Sequence, residues 1–228
     1  SARKRESCGM KTSWDPKQYH RFQSFRSRPF WELLARVEAS GVERIVDLGC
    51  GSGELSLAAA TRLSAGGLVG IDQSEAMIAA ARSEGEKVAS GLSWRFDLAR
   101  IEDWEPEERV DVLLANASLQ WYPEHTKLFG RFASWLKPGG WFAFQVPGNF
   151  VAPSHTILAE LRNTPKWRDK LGVDANRASV CEPVEYAHLL ADLGFEADVW
   201  ETTYCHLLEG EAPVLEWVKG TGLRPVLD

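Results

Sequence analysis

The chain predicts an α/β fold: a doubly wound, mostly parallel sheet with helices on both faces and a helical cap over a substrate site. Three observations carry this. Short apolar segments and helix-like segments alternate five times between residues 44 and 146. The first apolar segment runs straight into a glycine loop, IVDLGCGSGELS over Ile45 to Ser56, and the first three apolar segments finish on or beside Asp47, Asp72 and Asp97. Strand–helix alternation calls for a parallel sheet with right-handed crossovers, which gathers every strand's C-terminal end on one edge. Ligands of such sheets bind at that edge, near the point where strand order reverses.

Taken in order, residues 14–26 (WDPKQYHRFQSFR) mix aromatic and polar groups and predict a short helix. Pro29 suits the first turn of a second helix, FWELLARVEA, that stops at Gly41. A first strand spans Arg44 to Leu48, and the glycine loop leads into the helix GELSLAAATRL. A second strand covers Leu68 to Ile71, ending at Asp72; Ser74 is an N-cap for EAMIAAARSEG, with Gly85 as its stop. A third strand runs from Leu92 to Phe96, ending at Asp97. A fourth, VDVLLA from Val110, is nearly all apolar, as a strand covered on both faces should be. A helix from about Glu124 to Leu136 is broken by KPGG, and Trp141 to Val146 forms a fifth strand. Beyond Pro147 the alternation lapses: helical pieces (SHTILAELRN, PVEYAHLLADLG), a sixth strand over residues 195–207 and a last helix, APVLEWVKG, are expected.

These elements make one domain over residues 10–228. It divides into an N-terminal helical cap (10–40), a ligand-binding core (41–147), a helical insertion (148–193) and a C-terminal strand and helix (194–228). Residues 1–9, SARKRESCG, are polar, basic and patternless before Met10 and read as a vector-derived leader. With 228 residues, 44% hydrophobic and 25% charged, the composition is that of a soluble globular chain. No apolar run approaches the roughly 20 residues that span a bilayer. A net charge of −6 offers no general attraction to nucleic acid or to an anionic membrane. Cys8, Cys50, Cys181 and Cys205 show neither C-x-x-C pairing nor metal-ligand spacing, so free thiols in the cytoplasm and no metal are expected.

The loop decides the ligand. A dinucleotide fingerprint needs G-x-G-x-x-G, but the glycines are Gly49, Gly51 and Gly53, and the third fingerprint position holds Glu54. Asp47 stands just ahead, and an acid on each side of the loop opposes a pyrophosphate. No G-x-x-x-x-G-K-[ST] occurs. A ligand with an adenosine part, a positive centre and no phosphate fits better, and S-adenosyl-L-methionine is such a ligand. Asp72 follows Gly49 by 23 residues, about where a second-strand acid accepts both ribose hydroxyls. Asp97 and Leu98 are placed to meet the adenine. The alternative for each feature alone is ordinary, a tight turn or an aspartate capping the next helix; their joint placement at three successive strand ends is the signal.

DLGCGSG, GIDQSEAMIAAAR and LKPGGWFAF resemble the motifs of class I S-adenosylmethionine-dependent methyltransferases, which have a Rossmann-like sheet. YHRFQSFRSRP, ANASLQWYPEH, APSH, PKWRDKLG and EWVKGTGLRPVLD are similar to the trans-aconitate 2-methyltransferase family, from about Trp14 to the last residue. The resemblance implies monomethyl esterification of a small polycarboxylic acid. It implies cofactor contacts at Asp47, Gly49, Gly51, Gly53, Asp72, Gln73, Met77, Asp97, Leu98, Asn116 and Ala117, with Gln120 and Trp121 near the methyl group. Family members continue past the GLRPxL segment and place a last antiparallel strand between the fifth and sixth, so a longer native chain is expected.

Transfer to a carboxylate needs no general base, because the acceptor is ionised at neutral pH, and no catalytic acid or base is nominated. A tricarboxylate needs cations: Arg26, Arg28, His155 and Arg224 are the candidates, since arginine grips carboxylates with a bidentate fork. Trp14, Tyr19, Trp121 and Trp217 are candidates to wall the acceptor pocket. The ordinary alternatives are solvated surface charge for the cations and core packing for the aromatics. The chain is expected to act as a monomer or weak dimer. Competing functions are methylation of another small acid or an acyl-carrier-bound carboxylate, C-methylation, an NAD-dependent oxidoreductase, and a non-catalytic cofactor sensor.

Overall fold

The computed structural model describes residues 25, 27–88, 91–171, 180–219 and 223. Five strands form one sheet in the order β3-β2-β1-β4-β5, every neighbouring pair parallel. They are β1 (Arg44–Leu48), β2 (Gly67–Asp72), β3 (Ser93–Leu98), β4 (Val110–Asn116) and β5 (Leu136–Gln145). The chain builds outward from β1 through β2 to β3, then returns to the other side of β1 for β4 and β5. Strand order therefore reverses between β1 and β4, where the glycine loop and Asn116 end neighbouring strands.

The helices are α1 (Arg28–Ala35), α2 (Glu54–Arg62), α3 (Glu75–Gly85), α4 (Phe129–Trp135), α5 (Pro153–Asn163), α6 (Pro165–Leu171), α7 (Pro183–Asp192) and α8 (Pro213–Lys219). Alternate residues of the buried strands feed two cores. Ile45, Val112 and Leu114 pack with Phe30 and Leu34 of α1, Ala59 and Ala60 of α2, and Ile78 and Ala81 of α3. Val46, Leu48, Leu113 and Ala115 pack on the other face with Phe129 and Phe132 of α4 and Tyr186 and Leu190 of α7. A near-continuous apolar strand such as VDVLLAN serves both cores at once, as period-two side-chain alternation requires.

Several elements differ from the sequence reading. α1 ends at Ala35 rather than near Gly41, with the Arg36 and Val37 N–H groups turning back to the Leu33 and Leu34 carbonyls. The helix expected from Glu124 opens as a 3₁₀ turn, His125–Leu128, before α4. There His125 Nδ1 donates to the Tyr122 carbonyl at 2.9 Å, and its Nε2 accepts from the Tyr186 hydroxyl at 2.7 Å. α6 was not anticipated. The helix expected over residues 14–26 lies outside the described residues, apart from Phe25.

The largest correction concerns the sixth strand. Residues 195–207 form no strand, and on its far side β5 pairs with no described strand. A strand exists only through a ladder, and this segment packs side-on against α1 instead. Arg36 binds Asp198 at 2.9 Å and lies 3.9 Å over the Trp200 ring. Glu32 accepts from Thr202 and Tyr204, and His206 meets Phe25. α1 leads into β1 through residues 36–43, and Val37 borders the same hollow as Leu63 and Ser64 beyond α2. The C-terminal end of α1 is thus at the sheet's N-terminal edge. Residues 198–206 run back along α1 from Arg36 past Glu32 and Arg28, and bring His206 to Phe25.

Candidate functional site

A crevice opens where strand order reverses. The glycine loop, Asp72, Gln73, Met77, Asn116 and Gln120 line it. Its 1970 Å³ exceeds the 300–1,000 Å³ usual for one small ligand because it continues along the unpaired flank of β5.

The loop is built by left-handed glycines with different tasks. Gly49 has φ +80°, and a Cβ there would stand 2.4 Å from Ser118 Cβ, so the loop passes directly over the β4 tip. Ser118 secures that approach by donating to the Leu48 carbonyl at 2.5 Å. Gly51 has φ +54° with open space where a Cβ would be, leaving bare backbone toward the crevice. Gly53 departs from the cofactor contact expected of it. It does not line the crevice: a Cβ would meet Ala81 and Phe96 at 2.8 and 2.9 Å, so its smallness lets α2 pack against α3 and β3.

The loop's donors are already engaged. The N–H groups of Gly49 and Cys50 both donate to the Ile71 carbonyl, at 2.8 and 2.9 Å. The Gly51 N–H donates to Asp72 Oδ2 at 3.1 Å, and Asp72 Oδ1 accepts from the Ser74 N–H at 2.8 Å. A phosphate cradle needs free amide donors and no carboxylate in front of them. This loop has its first three amides tied to β2 and a carboxylate set among them.

Acceptors, by contrast, are in surplus. Asp47 is 4% exposed; its Oδ2 takes the Ser56 hydroxyl at 2.5 Å and its Oδ1 has no partner. Burial pushes this carboxyl up to about 6, against the Ser56 hydrogen bond and with the Asp72 charge adding to the rise. Burial likewise raises Asp72 above the ordinary carboxylate range, although backbone N–H groups hold it back. Asn116 Oδ1 and Gln120 Oε1 are also buried and have no partner among the described residues. Gln120 donates its Nε2 to the Ala117 carbonyl at 2.7 Å, which fixes the amide so that its oxygen is the free end. Ala117, at φ +51°, is held in the left-handed region that non-glycine residues avoid, a conformation that aims its carbonyl at Gln120. Buried acceptors without donors are costly, about 1–3 kcal/mol each. Acceptor-only oxygens at adjoining strand ends suit a ligand that brings N–H, O–H and positive charge.

Cys50 is buried in the same loop, and burial beside Asp47 and Asp72 holds its thiol well above the normal range, which removes it as a nucleophile. Among the described residues no group of His, Cys, Asp and Glu could hold a metal, and no helix is long and apolar enough to cross a membrane.

The remaining expected residues divide three ways. Asp97 and Leu98 stand beside Ile71 and Asp72 in the β2–β3 ladder but do not line the crevice. Asp97 turns its carboxylate to Arg95 Nε at 3.0 Å, and Leu98 is half exposed at the rim; Ala99 and Ile101 line the wall in their place. Trp121, His155 and Trp217 line the crevice; His155 carries Ser154 Oγ against its Nδ1 at 3.2 Å and packs edge-on to Phe150. Arg28 sits outside the lining with its guanidinium 4.9 Å over the Tyr204 ring. Trp14, Tyr19, Arg26 and Arg224 lie outside the described residues. Sequence reasoning missed Ser56, Ser118, Tyr204 and His206. Ser56 and Ser118 carried a signal, each one turn from a motif residue; Tyr204 and His206 were read as strand.

Comparison with known proteins agrees with this geometry. Residues 45–140 match the family model of a methyltransferase domain. The chain is 47% identical over 219 residues to a trans-aconitate 2-methyltransferase of Rhodococcus jostii (strain RHA1), covering 94% of this chain and 82% of that one. It is 45% identical over 218 residues to the enzyme of that name in Streptomyces avermitilis, covering 94% and 81%. Among solved structures it resembles a Haemonchus contortus phosphoethanolamine N-methyltransferase in complex with S-adenosyl-L-methionine. That likeness has a TM-score of 0.54 at 20% identity, covers 72% of this chain and 36% of that one, and speaks to fold alone.

Proposed function

We propose that this chain, which belongs to the S-adenosylmethionine-dependent methyltransferase family and has trans-aconitate 2-methyltransferases as relatives, esterifies one carboxylate of a small polycarboxylic acid, trans-aconitate. The observation that carries the reading is the polarity of the crevice: its loop amides are spent on β2, while Asp47, Asn116 and Gln120 hold unpaired acceptor oxygens. A sulfonium donor supplies an activated methyl group together with an ammonium and two ribose hydroxyls, and it carries no phosphate.

The residues divide the work by position. Asp72 has each oxygen bonded to one backbone N–H, which aims its remaining lone pairs at a vicinal diol. Asp47 and the bare Gly51 backbone receive the cationic amino-acid end. Met77 and Ile101 give an apolar wall, and Leu98 an apolar rim for a purine. Gln120, with its oxygen free, presents an acceptor to the positive end of the donor rather than a donor to the acid. Trp121 borders the reacting groups.

The acceptor carboxylate is ionised at neutral pH, so no residue has to remove a proton. Catalysis then rests on holding the oxygen in line with the methyl group and excluding water, and orientation of that kind supplies about 7–11 kcal/mol. Arg26, Arg28, His155 and Arg224 remain our candidates for gripping the acid. Mass spectrometry of trans-aconitate incubated with the protein and S-adenosylmethionine tests the assignment. Gain of one methyl ester is expected; binding of the donor with no methylated acid overturns it.

A further inference from the structure

His206 has a setting that the reading so far does not use. Its ring lies between Phe25, centroids 5.0 Å apart, and Trp217, also at 5.0 Å. It lines the crevice, and its Nδ1 is shut off from solvent with no hydrogen-bond partner among the described residues. The run of residues 198–206 back along α1 brings it beside Phe25, near the start of that helix. The ring is held by its aromatic neighbours with Nδ1 closed off, so Nε2 is the nitrogen open to an incoming oxygen.

The charged and titratable groups around it, among the described residues, come from three elements. Arg28 and Glu32 are on α1, Tyr204 is on its own segment, and the Glu216–Lys219 pair is on α8. Glu32 accepts from Thr202 and Tyr204, and Glu216 pairs with Lys219. Arg28, stacked over Tyr204, is the near cation. Without an anion, burial first and Arg28 second hold His206 below its ordinary value and keep it neutral. An anionic acceptor reverses both influences: it offsets Arg28 and gives the imidazole a partner.

We propose that His206 is an acceptor-binding residue, clamped by Phe25 and Trp217 to hydrogen-bond a carboxylate of the acid beside Arg28, and that acid binding is coupled to uptake of a proton at this imidazole. The proposal rests on the methyl-transfer reading for the identity of the acid only. Its sign is fixed: acid affinity is greatest when His206 is protonated, so KM rises as pH climbs through the imidazole's range.

Two variants and a titration test it. His206→Phe keeps a ring between Phe25 and Trp217 and removes both nitrogens; His206→Gln keeps a donor and removes the titration. With trans-aconitate, His206→Phe is expected to raise KM about 10- to 100-fold, the range for a hydrogen bond to a charged group. S-adenosylmethionine affinity should stay unchanged, and KM should become flat between pH 6 and 8.5. His206→Gln should show a smaller rise and the same flat profile. Wild-type KM with a wild-type pH profile in His206→Phe overturns the proposal. In parallel, the His206 imidazole is titrated by NMR in the S-adenosylhomocysteine complex, with and without trans-aconitate or citrate. A higher pKa with either acid supports the proposal even if wild-type protein methylates neither, an outcome that would count against the proposed reaction alone. No shift with either acid overturns it.

Discussion

The Gly51 N–H donates to Asp72 Oδ2 over 3.1 Å, and so joins the glycine loop to the tip of the second strand. The same carboxylate accepts the Ser74 N–H through Oδ1, which places the N-cap of α3. One side chain therefore sets the loop, starts a helix and lines the crevice.

Replacing Asp72 by Asn puts an amide where both backbone N–H groups need an acceptor. One is left unpaired, and the ribose loses a charged partner. S-adenosylmethionine affinity should fall by about 2–3 kcal/mol, or 30- to 150-fold, by calorimetry. Unchanged affinity would remove Asp72 from the site.

Asp47 links cofactor binding to protons. Its carboxyl, pushed up to about 6 by burial, is partly protonated in mildly acidic solution. A cationic ligand favours the ionised form, so binding near pH 6 should release a fraction of a proton and binding near pH 8 none. Calorimetry in buffers of differing ionisation enthalpy reads this directly. The same rise has a stability consequence. A buried acid whose folded value lies above its unfolded one, near 4, stabilises the fold below pH 4, and that contribution fades as pH rises through 6. Asp47→Asn should therefore stabilise the ligand-free protein at pH 7.5, by up to about 3 kcal/mol for two units, while weakening cofactor binding.

The glycines separate by what surrounds them. Gly49→Ala drives a methyl to 2.4 Å from Ser118 Cβ at a left-handed φ, and should cost about 3 kcal/mol or more, adding overlap to backbone strain. Gly139→Ala, also at positive φ but in open space, should cost only the strain, about 1–2 kcal/mol. Equal losses in denaturant melts would refute the close approach of the loop to β4.

The buried His125–Tyr186 pair makes a third kind of prediction. Tyr186 donates to His125 Nε2 at 2.7 Å and accepts the Cys181 N–H at 3.2 Å. Tyr186→Phe strands both partners and should cost about 2–4 kcal/mol. Burial lowers the His125 imidazole below its ordinary 6.5. The fold thus favours its neutral form, and this stability is present above pH 6.5 and lost as pH falls below it. His125→Gln should flatten the stability profile between pH 5 and 6.5, measured by urea midpoints.

The periodic part of this chain was legible from the sequence. β1 and α3 fall on the predicted residues, because glycine loops, the Ser74 cap and apolar runs such as VDVLLA act within a few residues of where they stand. That Asp47, Gly49, Gly51, Asp72 and Asn116 line one crevice was legible for the same reason: a parallel sheet sends every strand end to one edge, so position along a strand already gives position at that edge. What the tertiary structure decided is everything set by distant neighbours. Residues 195–207 carry a strand-like pattern but have Glu32 and Arg36 of α1 for partners, not a ladder, because a strand forms only where another chain segment offers its backbone. Gly53 was spent on Ala81 and Phe96, and Asp97 on Arg95, by packing that no local motif encodes. His206 reaches the crevice only because its segment runs back along α1 to Phe25. Local chemistry specified the glycine-loop side of the crevice; long-range packing assembled the rest.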